Sequence, residues 1–416
     1  MDRRGSGEGR RGPAPADPRA RLAVPRGASD PDSTPEAGGG PVILVINSGS
    51  SSVKYQLIDL DGPERTKPGK IENIGEPGSE VPDHEAALTR VADEVSAHSG
   101  ELTAIGHRVV HGGPVFIEPT LITDEVVKHI QEAVPLAPLH NPANLAGIEV
   151  TRRLWPDLPQ VAVFDTAFHS TMPLAARTYA VDHEVAQRYG LRRYGFHGTS
   201  TAYVSRVAAE LVDRAGLANV IVLHLGNGAS ATAVAAGRCV DTSMGMTPLE
   251  GLVMGTRSGD LDPGTIFHLI RGGMAPDEVE SMLIERSGLL GLCGDNDMRA
   301  VLARVESGDE AAALAYDVYC HRLRKYIGAY CAVLGEVDVI AFTGGVGENS
   351  ALVRRSVLSG LEHMGIRLDP LRNMSGDAKR LISADDSDVV IAVVPTDEEL
   401  EIARETSLVV SRTISE

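Results

Sequence analysis

The sequence of 416 residues is poor in cysteine and aromatic residues, and it has no long apolar run. Its four cysteines form no CxxC pair, so the sequence predicts neither a zinc knuckle nor a disulfide framework but buried, reduced thiols. Phe, Trp and Tyr supply only 4% of the residues, too few for platforms that stack nucleic-acid bases. No apolar run reaches the roughly 18 residues of a membrane helix, and no basic start leads into an apolar signal stretch. These absences predict a cytoplasmic protein.

Positive charge is also in short supply. Lys and Arg number 39 against 57 Asp and Glu, which gives a net charge of −18. This charge repels phosphate backbones and anionic lipid, so nucleic acid and membranes are not expected as the main partners. An anionic substrate would therefore need a local cationic site. At roughly 100 to 200 residues per domain, the length predicts two or three domains.

Residues 1–40 differ in composition from the rest of the chain. They contain eight glycines and six prolines and have no periodic apolar pattern. Such a segment cannot bury a core, so we expect a disordered N-terminal extension. Acidic residues interrupt its arginines, which argues against a mitochondrial presequence.

A strand, polar turn and strand unit occurs twice. The apolar run 42–46 leads into the turn 47–50, and the run 220–225 leads into the turn 226–230. Such turns expose backbone N–H groups that can bind an anion, although two ordinary hairpins would look the same. A third apolar strand, 337–342, ends in glycines that would let a ligand approach the backbone. Helical patterns over 311–334 and 350–364 complete an α/β class.

Nine motifs stand along the chain from about Val42 to the C-terminus. They are VINSGSSSVKYQL (45–57), GHRVVHGG (106–113), PLAPLHNP (135–142), FDTAFH (164–169), RRYGFHGTS (192–200), HLGNGAS (224–230), DTSMGMTPLEGLVMGTRSGDLDP (241–263), TGGVGEN (343–349) and PTDEELEIAR (395–404). In sequence and in order they resemble the motifs of one family, the acetate kinases, in the acetate and sugar kinase, Hsc70 and actin superfamily. One departure is Thr201, which stands where the family usually has His after FHGTS.

The resemblance implies an architecture. It implies a two-domain actin-like ATPase fold, with duplicated ribonuclease H-like domains around a central cleft. Residues 41–169 plus 400–416 would form the N-terminal domain, and residues 170–399 the nucleotide-binding domain. It also implies a homodimer.

Phosphoryl transfer to a carboxylate gathers negative charge, which a site must neutralise with cations. Arg108 follows His107 in an apolar stretch, and Arg257 is flanked by Gly255 and Gly259. From the residues alone, either arginine could bind an anion or form an internal salt bridge. The resemblance implies that both bind substrate or phosphate.

Histidines offer a further group of candidates. His197 is either a hydrogen-bond donor to the phosphoryl group or a buried structural histidine, and the resemblance implies stabilisation of the transition state. His107, His111 and His140 include an i, i+4 pair, but no third ligand at suitable spacing supports zinc, so we expect a structural role.

Candidate metal ligands are carboxylates and one amide. Asp165 follows the apolar run 161–164 and should stand at a strand end, either holding magnesium and orienting acetate or simply capping the loop. By resemblance Glu398 is the magnesium carboxylate, with Glu399 less favoured, and Asn47 belongs to the magnesium or phosphate region. One or two carboxylates suffice, because Mg²⁺ keeps several waters. Mn²⁺ is an alternative metal.

The resemblance also implies nucleotide and acyl contacts. For Asp297 and Arg299 a helix cap followed by a charged first turn is the alternative. The implied ATP or ADP contacts are Lys54, His224, Gly226, Asn227, Gly228, Asp297, Met298, Arg299, Gly345, Val346, Gly347, Glu348 and Asn349. The implied acyl pocket consists of Val110, Leu139, Phe196 and Pro248, four residues that any core could also contain.

Together these features predict an enzyme that phosphorylates acetate with ATP, reversibly and by direct in-line transfer with magnesium, giving acetyl phosphate and ADP. The same fold acting on propionate or butyrate is one alternative. A chaperone-like ATP-driven switch is another, but it would need a partner-binding domain. No GxxxxGK[ST] motif is present, and HRD and DFG are absent, which excludes P-loop and protein kinases.

Overall fold

The computed structural model describes residues 41–49, 51–62, 68–76, 78–95 and 102–415. The predicted extension 1–40 and the last residue of the turn 47–50 lie outside these ranges. The described residues form two six-stranded sheets with helices around them, so the predicted α/β class is confirmed. In this part of the chain no helix is both long and apolar enough to cross a membrane.

The first sheet is built from the N-terminal part of the chain. Its spatial order is β3-β2-β1-β4-β6-β5. The strands are β1 (Val42–Ser48), β2 (Ser52–Asp59), β3 (Gly69–Glu72), β4 (Leu102–Val109), β5 (Thr120–Leu121) and β6 (Gln160–Phe164). The helices of this part are α1 (His84–Val95), α2 (Asp124–Glu132) and α3 (Asn141–Leu154).

The second sheet follows three connecting helices, α4 (Leu174–Arg177), α5 (His183–Tyr189) and α6 (Gly198–Leu211). Its spatial order is β11-β12-β10-β7-β8-β9. The strands are β7 (Asn219–Leu225), β8 (Ala229–Ala235), β9 (Arg238–Thr242), β10 (Val339–Thr343), β11 (Arg380–Leu381) and β12 (Val390–Val393). The remaining helices are α7 (Gly264–Arg271), α8 (Pro276–Glu285), α9 (Gly288–Cys293), α10 (Met298–Glu306), α11 (Glu310–Leu334), α12 (Gly344–Asn349), α13 (Ala351–Leu358), α14 (Pro370–Met374) and α15 (Glu398–Ser415).

The two sheets repeat one pairing pattern. In the first, β1 pairs antiparallel with β2 and parallel with β4, which pairs parallel with β6. In the second, β7 pairs antiparallel with β8 and parallel with β10, which pairs parallel with β12. The repeated strand, turn and strand unit of the sequence is therefore the start of each sheet. Parallel strands place their carboxyl ends at one edge, which is where α/β proteins bind ligands.

The core of the first sheet has two faces. Leu44 and Ile46 pack with α1 on one face, whereas Ile43 and Val45 pack with Leu400 and other residues of α15 on the other. The continuous apolar run of β1 reflects this burial on both faces. The C-terminal helix thus covers the sheet formed by the N-terminal part of the chain.

One helical prediction needs correction. The segment 350–364 is not one helix: α13 ends at Leu358, Gly360 has a φ of +87°, and a short 3₁₀ turn covers Glu362–Met364. The positive φ at Gly360 stops an α-helix. The glycine-rich segment after the third predicted strand forms the short helix α12. The four cysteines are unpaired, and three are buried.

Burial of His107 predicts a pH-dependent stability. His107 is 2% exposed, its Nε2 bonds to Oε1 of Gln160 at 3.0 Å, and burial lowers its pKa from 6.5 to about 4. Below pH 6.5 the unfolded chain gains a proton that the folded chain does not bind, so stability falls as the pH drops towards 4. The slope for one such group is about 1.4 kcal/mol per pH unit.

We therefore expect His107→Gln to reduce this slope by about one proton, because it removes the titrating group. The measurement is the free energy of unfolding in urea between pH 7.5 and 5. His268→Gln, at an exposed position on α7, is the matched control. An unchanged slope in His107→Gln would contradict the prediction.

Candidate active site

Arg108 and Asp165 meet at the carboxyl ends of two adjacent parallel strands. Arg108 lies in β4 and Asp165 directly follows β6, with Val109 opposite Phe164 in the register. The Arg108 guanidinium donates from Nε to Oδ1 of Asp165 at 3.0 Å and from Nη2 to Oδ2 at 2.7 Å. This two-point ion pair fixes the plane of the guanidinium while leaving other N–H groups uncommitted to Asp165. From the sequence, Arg108 could bind an anion or form an internal salt bridge. The structure contains the salt bridge, to Asp165.

A second carboxylate lies close to the Arg108 guanidinium. Oε2 of Glu398, at the start of α15, lies 3.9 Å from Nε of Arg108. Burial raises the pKa of Glu398, with Asp165 adding to the rise, whereas Arg108 and Lys54 oppose it. Burial alone would lower the pKa of Arg108, but Asp165 and Glu398 raise it above its usual value. Two carboxylates therefore lie within 4 Å of one guanidinium, and Lys54 is near enough to Glu398 to affect its pKa.

His197 occupies a backbone conformation that is rare for a residue with a side chain. Its φ is +58°, at the N-cap of α6, and the hydroxyl of Thr201 donates to its carbonyl oxygen at 2.9 Å. Its Nδ1 lies 3.0 Å from Oγ of Ser230, and its ring stacks on His224 at 4.2 Å between centroids. Burial lowers the pKa of His197 well below 6.5, with His224 and the site arginines adding to the shift. His197 is therefore neutral at pH 7.

Arg257 is a half-buried guanidinium that has no carboxylate partner within the described residues. Its Nη1 contacts only the carbonyl oxygen of Pro248 at 3.3 Å and Sδ of Met254 at 3.9 Å. Burial lowers its pKa. Removing a positive charge from water without a counter-charge is costly, so a folded chain that keeps one commonly uses it to bind an anion.

His197 and Arg257 face the same point above the second polar turn. A methyl group placed on Gly228 would lie 3.6 Å from Nε2 of His197 and 3.7 Å from Nη1 of Arg257. Both Arg108 and Arg257 contribute to the lowered pKa of His197. His197 and Arg257 thus face one point beside the second polar turn, and Arg108 of the first sheet is near enough to His197 to lower its pKa.

A cavity of about 440 Å³ opens beside Arg257. Leu139 and Pro248 of the predicted acyl pocket line this cavity, but Val110 and Phe196 lie in the adjacent core and do not. Helix α8 also lines this cavity. It carries none of the nine motifs, so the sequence provided no reason to assign its residues to a site. The lining residues from α8 are Asp277, Glu280, Ser281, Ile284 and Glu285.

A second cavity, of about 700 Å³, lies at the carboxyl ends of β7 and β10. It brings together eight residues of the predicted nucleotide set and six that sequence reasoning missed. The predicted ones are Gly226, Asn227, Asp297, Met298, Arg299, Gly345, Val346 and Asn349. The missed ones are Gly255, Leu289, Asn296, Leu302, Tyr319 and Ser350, of which only Gly255, beside Arg257, carried a sequence signal.

The other predicted nucleotide residues lie outside the lining. Gly347 packs towards β10, and Oε1 of Glu348 accepts from the amides of Gly344 at 2.9 Å and Thr396 at 3.3 Å. Nδ1 of His224 bonds to Oγ of Ser200 at 2.8 Å. Lys54 stands opposite Asn47 in the β1–β2 register, close enough to Glu398 to affect its pKa.

Asp297 also serves as a helix cap. Its Oδ1 accepts from the amide of Arg299 at 2.9 Å, at the start of α10, and the two side chains form an ion pair. Asp297 and Arg299 thus form the helix cap and charged first turn that the sequence offered as their alternative role, and both residues lie on the wall of the second cavity.

The described residues contain no cluster of three or more His, Cys, Asp or Glu side chains that could by itself hold a metal. His107 instead bonds to Gln160, and Nδ1 of His111 accepts from the amide of Gly113 at 2.9 Å. Asp165 and Glu398 still fit a hard divalent cation, because such an ion binds through one or two carboxylates and keeps several waters.

Comparisons with known proteins identify the family of this chain. The sequence model of the Acetokinase family matches residues 42–404. The acetate kinase of Streptomyces coelicolor is 60% identical over 394 residues, which cover 89% of this chain and 97% of that relative. The acetate kinase of Streptomyces avermitilis is 59% identical over 389 residues, covering 88% and 96%.

Solved structures show the same architecture. The acetate kinase of Porphyromonas gingivalis has a TM-score of 0.85 and 41% identity, covering 89% of this chain and all of that one. A propionate kinase of Francisella tularensis has a TM-score of 0.84 and 42% identity, covering 88% and 99%. The predicted actin-like ATPase fold is thereby confirmed. Identity of 60% across nearly the whole of a relative, together with a shared fold, shows that this chain belongs to the acetokinase family.

Proposed function

We propose that this kinase transfers the terminal phosphoryl group of ATP reversibly to acetate, giving acetyl phosphate and ADP. The observation that carries the proposal is Arg257, a half-buried guanidinium that lacks a carboxylate partner within the described residues and lines the 440 Å³ cavity. Its Nη1 faces the same point beside Gly228 as Nε2 of His197. An incoming carboxylate and phosphoryl group would supply the missing negative charge.

The chemistry is a direct in-line displacement. A carboxylate oxygen of acetate attacks the γ-phosphorus, the bond from that phosphorus to the bridging oxygen breaks, and ADP leaves with the electron pair. Arg108 and Arg257 neutralise the charge on the equatorial oxygens, and neutral His197 donates a hydrogen bond from Nε2. Asp165 positions acetate indirectly by holding the guanidinium of Arg108 through two hydrogen bonds. Excluding water protects acetyl phosphate from hydrolysis.

The carboxylates of Asp165 and Glu398, with Asn47 near them on β1, would hold Mg²⁺, and Mn²⁺ is the alternative metal. Their support is the closeness of the two carboxylates, both of which lie within 4 Å of the Arg108 guanidinium. Burial and Asp165 also raise the pKa of Glu398. When bound, the ion supplies charge neutralisation to the β- and γ-phosphates. The glycine-rich wall of the 700 Å³ cavity would take the nucleotide, with Lys54, His224, Gly228, Gly347 and Glu348 around its phosphate end.

We further propose two domains, 41–169 plus 400–416 and 170–399, in a cytoplasmic homodimer. The packing of α15 against the first sheet supports the assignment of the C-terminal residues. The described residues nevertheless form one compact unit, so the two domains would pack closely. Closure of the cleft between them would exclude water from the reaction.

Propionate is the second candidate substrate, and one observation favours it. The cavity beside Arg257, at about 440 Å³, has room for more than a methyl group. A structural relative is itself a propionate kinase. One methylene in an apolar pocket changes specificity by only about 1 to 3 kcal/mol, so both acids should react.

Steady-state kinetics with acetate, propionate and butyrate, each with ATP and with GTP, tests the proposal. Trapping the acyl phosphate as a hydroxamate measures the product. We expect the highest kcat/KM for acetate, on which the two Streptomyces relatives act by name, and a value for propionate lower by roughly 10- to 200-fold, the range that one methylene commonly makes in an apolar pocket. A higher kcat/KM for propionate would reassign the substrate, and ATP hydrolysis without any acyl phosphate would favour the ATP-driven switch.

Arg257→Ala removes the unpaired guanidinium. We expect kcat to fall by roughly two to three decades, as for other preorganised donors that act on the transition state. Arg271→Ala, on the exposed surface of α7, is the matched control and should leave kcat unchanged. Wild-type turnover in Arg257→Ala would remove this residue from the mechanism.

Glu398→Gln removes one proposed metal carboxylate. We expect the Mg²⁺ concentration at half-maximal rate to rise on the order of tenfold, with most of the maximal rate restored at saturating Mg²⁺. Glu399→Gln is the control, because the neighbouring Glu399 is the less favoured candidate for the magnesium carboxylate. An identical Mg²⁺ dependence for Glu398→Gln and the wild type would count against metal ligation.

A further inference from the structure

A fully buried arginine contacts the helix that forms one wall of the nucleotide cavity. Arg354 lies on α13 and is 1% exposed, with no carboxylate partner in the described part of the chain. Its Nη1 donates to the carbonyl oxygens of Gly347 at 2.7 Å and Glu348 at 2.9 Å, near the end of α12. Burial lowers the pKa of Arg354 to about 10, so it remains charged at pH 7.

The other donors of the same guanidinium bind a different helix. Nε donates to Oδ1 of Asn373 at 2.7 Å, and Nη2 donates to the carbonyl oxygen of Asn373 at 2.8 Å. Asn373 lies on α14, is 2% exposed, and donates from Nδ2 to the carbonyl oxygen of Ala351 at 2.9 Å. Arg354 thus joins the end of α12 to α14.

Core packing alone does not account for an arginine at this position. Arginine is rarely fully buried without an acidic partner, and an apolar side chain of similar size would fill the space at lower cost. The carbonyl groups at a helix end, however, lack partners within the helix. α12 stops at Asn349, because Ser350 has extended backbone angles, and the guanidinium satisfies two of its last carbonyls. A positive charge at a helix C-terminus is also electrostatically favourable.

The position of α12 matters because three of its six residues line the nucleotide cavity. Gly345, Val346 and Asn349 form part of the wall, whereas Arg354 does not reach the lining. Glu348 holds the start of the same helix by accepting from the amide of Gly344 at 2.9 Å. With its start and end both held, the wall has a defined place relative to the opposite wall, which α10 provides.

We propose that Arg354 is a positioning residue for the nucleotide: it holds α12, with Asn373 as its anchor, so that Gly345, Val346 and Asn349 keep the shape of the nucleotide cavity. The inference rests on the proposed use of this cavity for ATP. It assigns Arg354 an effect on nucleotide affinity without any contact to the nucleotide, and none on the carboxylic acid substrate.

The test compares three variants in the full-length protein. Arg354→Lys keeps the charge but cannot reach all four acceptors in the two helices. We expect its KM and Kd for ATP to rise by roughly tenfold, while KM for acetate and the rate at saturating ATP stay within about twofold. Asn373→Ala removes the anchor and should raise the same two constants for ATP in the same direction.

Arg324→Lys is the matched control. Arg324, on α11, also donates to helix carbonyls, to those of Ser356 at 2.6 Å and Val357 at 3.4 Å, but these belong to α13 and not to α12. We expect its melting temperature to fall while its KM and Kd for ATP stay unchanged. This contrast separates positioning of the nucleotide wall from general stabilisation.

The results separate a positioning role of Arg354 from a purely structural one. A lower melting temperature for Arg354→Lys with wild-type KM and Kd for ATP would overturn the inference, because the residue would then be structural only. If Arg354→Lys does not fold, unchanged ATP affinity in Asn373→Ala would overturn it equally. Wild-type protein that binds ATP but forms no acyl phosphate would instead overturn the proposed function, and the Kd values would still report on Arg354.

Discussion

A positive charge held out of water without a counter-charge is the constraint on which this site depends. The two site arginines differ in their partners. Arg108 forms an ion pair with Asp165, which orients it, whereas Nη1 of Arg257 contacts only a carbonyl oxygen and a sulfur atom in the described structure. The chain carries a net charge of −18, so its surroundings repel anions on average. Leaving one guanidinium unpaired in the cleft therefore creates a local place where anions are attracted.

The repeated sheet explains why charges from distant parts of the sequence meet. Each half begins with a strand, a polar turn and an antiparallel return strand, and each adds parallel strands whose carboxyl ends point to the same edge. Arg108 and Asp165 come from such ends in the first sheet, and the turn at Gly228 comes from the second. The strand pairing, and not closeness in sequence, brings Arg108 to 2.7 Å from Asp165, 57 residues further along the chain.

Much of this arrangement could be predicted from the sequence, because strands buried on both faces read as apolar runs and their ends carry polar residues. On that basis the sequence predicts Asp165 at a strand end, and in the structure Asp165 directly follows β6. Apolar residues are harder to assign, because the same pattern serves a core or a pocket: Phe196 packs in the core whereas Leu139 lines the cavity. The contribution of α8 depends on long-range packing, and a buried Arg354 contradicts the usual surface position of arginine, so neither left a local signal.

The packing of α15 on the first sheet has a consequence for how the chain folds during synthesis. The inner face of that sheet, which includes Ile43 and Val45, is covered by residues of α15, the last helix of the chain. Until α15 has been synthesised, this apolar face lacks the helix that packs Leu400, Ile402 and Ala403 against it. The core of the first sheet is therefore completed only when the segment around α15 has left the ribosome, long after the strands themselves.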